Sequence, residues 1–170
     1  EHDELTGLYN KRSLNRYLEY VFEACKLNEK ELGILFLDID YFKQLNDRYG
    51  HGKGDEGICA VADTLKKIFP EDYVARYGGD EFLVVMTGRD LTYAMEHAES
   101  LCAGIREYKI PNEDSELEPW LTISVGGVCA IPREPNRVWD FLSAADNTLY
   151  EQKKEQKGKV RFYQGEGKYL

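Results

Sequence analysis

The stretch ARYGGDEFLVVM, residues 75–86, decides the fold class. The apolar run from Phe82 to Met86 follows directly on two glycines and two acids. A run this short and this apolar reads as a buried strand. Residues 73–77 read as a second strand, so the Gly78-Gly79 turn joins a β-hairpin. A hairpin imposes antiparallel pairing, which argues against a doubly wound parallel sheet.

Working outward, residues 33–39, GILFLDI, read as another buried strand, and residues 120–130 as a further one, with Gly126-Gly127 as a candidate bulge. Helix periodicity is clear in Leu14, Tyr17, Leu18, Val21, Phe22 and Cys25, with Asn10 or Ser13 as cap and an end near Asn28. A short helix is expected over 41–48, then a glycine-rich turn, GHGKGD, at 50–55. Further helices are expected over 55–69, 90–109 and 136–155, and a last strand over 159–163. The expected class is α+β, with a mixed or mainly antiparallel central sheet flanked by helices.

The chain has 170 residues, 42% hydrophobic and 31% charged, enough for one domain with a sizeable core. Its net charge of −9 argues against non-specific nucleic-acid binding or membrane-surface contact, which need basic faces. A small anionic substrate would need a local basic pocket or a metal. The cysteines at 25, 59, 102 and 129 form no C-x-x-C pair, and read as reduced thiols in apolar segments rather than a zinc site. The chain opens at Glu1 without Met, and is expected to be an excised domain of a longer signalling protein.

Two acidic sites stand out. Asp38 and Asp40 close the 33–39 strand, where alternation puts both on one face. Asp80 and Glu81 stand at the hairpin tip. If the two tips are neighbours, several carboxylates converge, and like charges that close call for a cation. Oxygen ligands without nearby His or Cys favour Mg2+ or Mn2+. Lys43 follows Asp40 closely, and Lys153 and Lys157 stand i, i+4 at the end of the last helix, suited to phosphates. Asn46 and Asp55 flank the glycine-rich turn. A carboxylate accepting from N1–H and the exocyclic amine reads guanine and rejects adenine. Each feature alone has a plainer reading: a solvated turn, helix N-caps, or lysines answering a helix dipole.

Together these residues resemble the GGDEF domain family, the diguanylate cyclases. The resemblance rests on DELTGLYNKRSL at 3–14, LDIDYFKQLNDRYGHGKGDEG at 37–57, ARYGGDEF at 75–82, LTISVGG at 121–127 and AADNTLY at 144–150. It implies a palm-like, ferredoxin-like nucleotidyl cyclase fold. It implies that two GTP molecules, one on each subunit of a homodimer, are condensed into cyclic di-GMP with release of pyrophosphate. By position, Asp38, the Ile39 carbonyl and Asp80 resemble the metal ligands, and Asp80 also the base for the 3′-hydroxyl. Glu81 resembles an alternate or supporting acid, and Asp40 completes the acidic surround. Asn46 and Asp55 match the guanine-reading pair. Phe42 and Lys43 match the FK step, with Lys43 answering phosphate charge. Lys153 matches the late phosphate lysine, and Gly78 and Gly79 leave room for the nucleotide.

The chain departs from the family pattern in two places. Lys157 stands where the family often has a phosphate-binding Arg, which keeps the charge and loses the bidentate fork. The inhibitory R-x-x-D motif is represented by Phe69-Pro70-Glu71-Asp72, without its Arg, so product inhibition there is expected to be weak or missing. The resemblance implies an active, cytoplasmic cyclase domain fused to a sensory partner. A catalytically silent GTP-binding module and a cyclase of altered base choice are the rival readings.

Overall fold

The computed structural model describes residues 1–165 and 170. Five strands form one mixed sheet in the order β2-β3-β1-β4-β5. They are β1 (Leu32–Ile39), β2 (Tyr73–Arg76), β3 (Glu81–Thr87), β4 (Ile123–Ala130) and β5 (Val160–Phe162). All neighbours are antiparallel except β4 and β5. The helices are α1 (Lys11–Leu27), α2 (Phe42–Tyr49), α3 (His51–Ile68), α4 (Leu91–Glu107) and α5 (Val138–Glu155). The α+β expectation and the hairpin both hold.

Why the central strands are apolar at nearly every position follows from the two helical layers. Leu35, Leu37 and Ile39 of β1 and Phe82, Val84 and Met86 of β3 join residues of α3 and α4 in one core. The alternate residues, Ile34, Phe36, Leu83 and Val85, join α1 and α5 in the other. A strand buried on both faces cannot alternate apolar with polar. The α1 cap is Asn10, whose side chain accepts from the Ser13 N–H at 2.9 Å.

The pair Gly126-Gly127 is not a bulge. It pairs in unbroken register with Phe36 and Leu35. A Cβ at Gly126 would lie 2.3 Å from the Leu149 nitrogen, and one at Gly127 would lie 2.5 Å from the Phe162 ring. The glycines let α5 and β5 lie against the sheet. The strand itself begins at Ile123, three residues later than the sequence suggests.

The stretch GHGKGD is not a turn beyond Gly50. Helix α3 starts at His51 and takes in the remaining glycines. Gly54 is there for packing: a Cβ would stand 1.9 Å from the Asn46 Oδ1 atom of α2.

Candidate active site

The site is built where the C-terminal end of β1 meets the start of β3. Asp38 is the register partner of Glu81, so the two carboxylates are cross-strand neighbours. Asp80 precedes Glu81 in the hairpin loop, and its carboxylate draws on the backbone N–H of Ile39 as well as its own. Burial pushes the Asp38 carboxyl up, while the Lys153 ammonium pulls the other way. Burial and then the charge of Asp38 push Asp80 up. Burial, Asp80 and Asp38 do the same to Glu81. The three acids share one negative field, as the sequence suggests.

Their arrangement is nonetheless not a ready cage. Among the described residues, no group of three or more acids, His or Cys is poised to hold a metal ion. Lys153, from the last turn of α5, donates to the Asp38 Oδ2 atom at 2.6 Å. The other oxygen, Oδ1, is buried and has no hydrogen-bond partner. A buried orphan carboxylate oxygen is costly unless something binds it, and it fits a cation ligand.

Asp40 departs from expectation. The strand ends at Ile39, the Asp40 N–H still donates to the Thr122 carbonyl at 3.0 Å, and Tyr41 then turns the chain at φ 55 into α2. Asp40 is buried and accepts from the Thr122 hydroxyl at 2.8 Å and the Ser124 hydroxyl at 2.6 Å. Ser124 Oγ accepts in turn from the Gly158 N–H. Asp40 therefore ties β1, β4 and the 157–158 turn together with both carboxylate oxygens engaged, while its charge adds to the field of Asp38 and Lys153. Nor does it cap α2, which has no side-chain cap.

The other expected residues divide. Asn46 lies against Gly54, the residue before the exposed Asp55 on α3, with its Oδ1 buried and unpartnered. Phe42 packs partly buried on the α3–α4 core. Lys43 is exposed and bridges to Asp47 at 2.8 Å rather than turning to the acids. Lys157 lies past the end of α5, so it does not share a helix face with Lys153; its ammonium stands 4.2 Å from the Tyr41 ring centroid. Gly78 and Gly79 do not have the positive φ that only glycine tolerates well. A Cβ at Gly79 would meet nothing within 4 Å, so these glycines leave open space over the loop rather than enabling its bend.

Sequence reasoning missed Arg76. Its guanidinium donates to the Gly79 carbonyl at 2.8 Å and 3.1 Å and to the Gly78 carbonyl at 3.3 Å. It also pairs with Asp3 at 3.2 Å. Asp3 is itself fixed by the Thr6 hydroxyl at 2.7 Å and the Thr6 N–H at 2.9 Å. The loop that presents Asp80 is thus anchored to the N-terminal turn. The Asp-x-x-Thr spacing at 3–6, a local side-chain-to-backbone turn, was the available signal.

The strand order and the acids at two adjoining strand ends define an α+β domain of the nucleotidyl cyclase-like kind. The model of the family described as "Diguanylate cyclase, GGDEF domain" matches residues 1–159, and the chain belongs to that family. It is 32% identical over 154 residues to the probable diguanylate cyclase DgcC of Escherichia coli K12, covering 89% of this chain and 40% of that protein. It is 34% identical over 153 residues to the diguanylate cyclase VdcA of Vibrio cholerae, covering 89% and 43%. The crystal structure of the GGDEF domain of DgcB from Caulobacter crescentus in complex with c-di-GMP superposes with a TM-score of 0.86 at 25% identity, covering 95% of each chain. The chain spans less than half the length of the curated relatives it matches. No helix among its described residues is long and apolar enough to cross a membrane.

Proposed function

We propose that this domain condenses two molecules of GTP into cyclic di-GMP, with a divalent cation and with two copies of the domain face to face. The observation that carries the reading is the junction of β1 and β3. There Asp38 faces Glu81 across the register, Asp80 adjoins Ile39, and one Asp38 oxygen is buried without a partner. Asp38, the Ile39 carbonyl and Asp80 would hold the cation, Mg2+ or Mn2+. When bound, it supplies charge neutralisation of the triphosphate and polarisation of the reacting phosphate.

In each half-reaction the 3′-hydroxyl oxygen of one GTP forms a bond to the α-phosphorus of the other. The bond from that phosphorus to the bridging oxygen breaks, and pyrophosphate leaves with the electron pair. Asp80 would take the hydroxyl proton as the general base. Glu81, one residue on, supports the acidic field. Lys153, and Lys157 from the turn beyond α5, answer the phosphate charge; Lys43 on α2 would have to leave Asp47 to join them. Asn46 and Asp55 read the guanine edge, and Phe42 packs the first turn of α2 against the core. The open space over Gly78 and Gly79 admits the nucleotide.

The length of the relatives supports the view that the chain is a single domain, residues 1–170, of a longer signalling protein. That protein would carry a sensory part and work in the cytoplasm, where GTP is, with an anchor elsewhere if it has one. The test is incubation with GTP and Mg2+ or Mn2+ at high protein concentration, with product identified by chromatography and mass spectrometry. Cyclic di-GMP from the parent and none from Asp80→Ala is the expected result. GTP binding without product, even after fusion to a dimerising coiled coil, would sink the proposal.

A further inference from the structure

The Lys153–Asp38 pair carries a consequence for how the cation enters. Two independent observations meet there. Lys153 Nζ lies 2.6 Å from the Asp38 Oδ2 atom, so one of the two carboxylate oxygens is already committed to a cation. The remaining acids, Asp80 and Glu81, do not close a metal cage with Asp38 among the described residues. The Lys153 side chain is partly shielded, 33% exposed, against 14% for that of Asp38. In such surroundings a charge-assisted hydrogen bond is strong and weakly screened.

We infer that Lys153 is a resident counter-ion that must leave Asp38 before a divalent cation can use that carboxylate fully, and that the nucleotide triphosphate is what draws it away. The inference rests on the cyclase reading and deepens it. A monovalent ammonium beside the orphan Oδ1 repels an arriving divalent ion. The triphosphate brings several negative charges within reach of the long lysine stem, and Lys153 exchanges one anionic partner for another without ever being buried unpaired. Cation and nucleotide then bind as a cooperative pair, each raising the affinity for the other by the same factor. The domain without nucleotide is kept from filling its site with free metal. Lys153 is on this account a positioning residue before the reaction as well as a phosphate ligand during it.

Mn2+ binding, read by electron paramagnetic resonance on the full chain, tests this without any turnover. The comparison is wild type, Lys153→Met, Lys153→Gln and Lys153→Arg, each with Mn2+ alone. It is then repeated with a GTP analogue carrying a methylene in place of the α–β bridging oxygen. Removing the charge is expected to tighten Mn2+ alone at least tenfold in both the Met and Gln variants, and Lys153→Arg to bind as wild type does. The analogue is expected to tighten Mn2+ on wild type by a similar factor, and by much less on the neutral variants. Unchanged or weakened Mn2+ binding in both neutral variants would overturn the inference, circular dichroism having established that they are folded. Failure of every protein to bind the analogue would count against the cyclase reading instead, and the Mn2+-alone comparison would still decide the role of Lys153.

Discussion

Replacing Gly126 by alanine is expected to damage stability and activity together, through one displaced helix. The new Cβ would stand 2.3 Å from the Leu149 nitrogen, 2.5 Å from the Ala145 carbonyl oxygen and 2.6 Å from the Leu149 Cα. All three are backbone atoms of α5, so no side chain can swing aside. Ordinary contact begins near 3.4 Å, so α5 and β4 must separate by about 1 Å. Overpacking a closed core costs about 1–3 kcal/mol, and backbone on both sides of the clash argues for the upper end. That is a large share of the ~5–15 kcal/mol that holds a typical domain folded. Lys153 stands one helical turn beyond Leu149 and would move with α5, away from Asp38. A misplacement of about 1 Å can cost roughly 100-fold in rate. Urea unfolding followed by circular dichroism gives the first quantity, and the rate of cyclic di-GMP formation by fully folded protein gives the second. Gly52→Ala is the control for stability: it lies in α3, meets nothing within 4 Å, and is expected to be neutral or to stabilise by about 0.5–1 kcal/mol. A Gly126→Ala midpoint within experimental error of wild type would refute the close approach on which the reasoning depends.

Asp3→Asn is expected to cost about 1–2 kcal/mol at pH 7, because charge-assisted hydrogen bonds from Thr6 and Arg76 weaken. Burial pushes the Asp3 carboxyl up, but the Thr6 hydroxyl and N–H and the Arg76 guanidinium outweigh it and hold it below its ordinary value. Its stabilisation is therefore present above the unfolded value of about 3.9 and lost as pH falls through the lower folded value. Paired unfolding curves should converge only below about pH 4, and a gap independent of pH would be contrary. Asn46→Ala should raise the KM for GTP about tenfold or more with a smaller change in kcat, since ground state and transition state both use the base contact; steady-state kinetics with an unchanged KM would remove Asn46 from the guanine site. Micromolar cyclic di-GMP should inhibit little. Phe69, at the missing Arg position, is buried at 1% exposure, and Asp72 already accepts from the Tyr93 hydroxyl at 2.8 Å. Strong inhibition in a product titration would contradict this.

The hairpin and the β1 strand were legible because apolar runs between glycines and acids have few other readings. The same reasoning misjudged glycines. GHGKGD looked like a turn, yet Gly54 serves the approach of Asn46 inside a helix, and Gly126-Gly127 looked like a bulge yet serves the approach of α5 and Phe162. Composition registers that glycine is needed, but only tertiary packing says whether for φ or for space. Asp40 was legible as an acid near Asp38, but not as the acceptor of the Thr122 and Ser124 hydroxyls, 82 and 84 residues away. Arg76 was overlooked because its partners, Asp3 and two carbonyls, are set by a long-range pairing of the N-terminal turn with β2. Lys153 was legible as a basic residue near the acids, but not as the partner of Asp38, 115 residues away.

The most direct test of the central claim is the initial rate of cyclic di-GMP formation per mole of protein, measured across a hundredfold range of protein concentration for wild type and Asp80→Ala. A site completed by a second copy predicts a specific rate that rises with wild-type concentration and stays at background for the variant. Equal rates from wild type and Asp80→Ala would contradict the assignment of the acids at the junction of β1 and β3, and product formed at a constant specific rate would contradict catalysis between two copies.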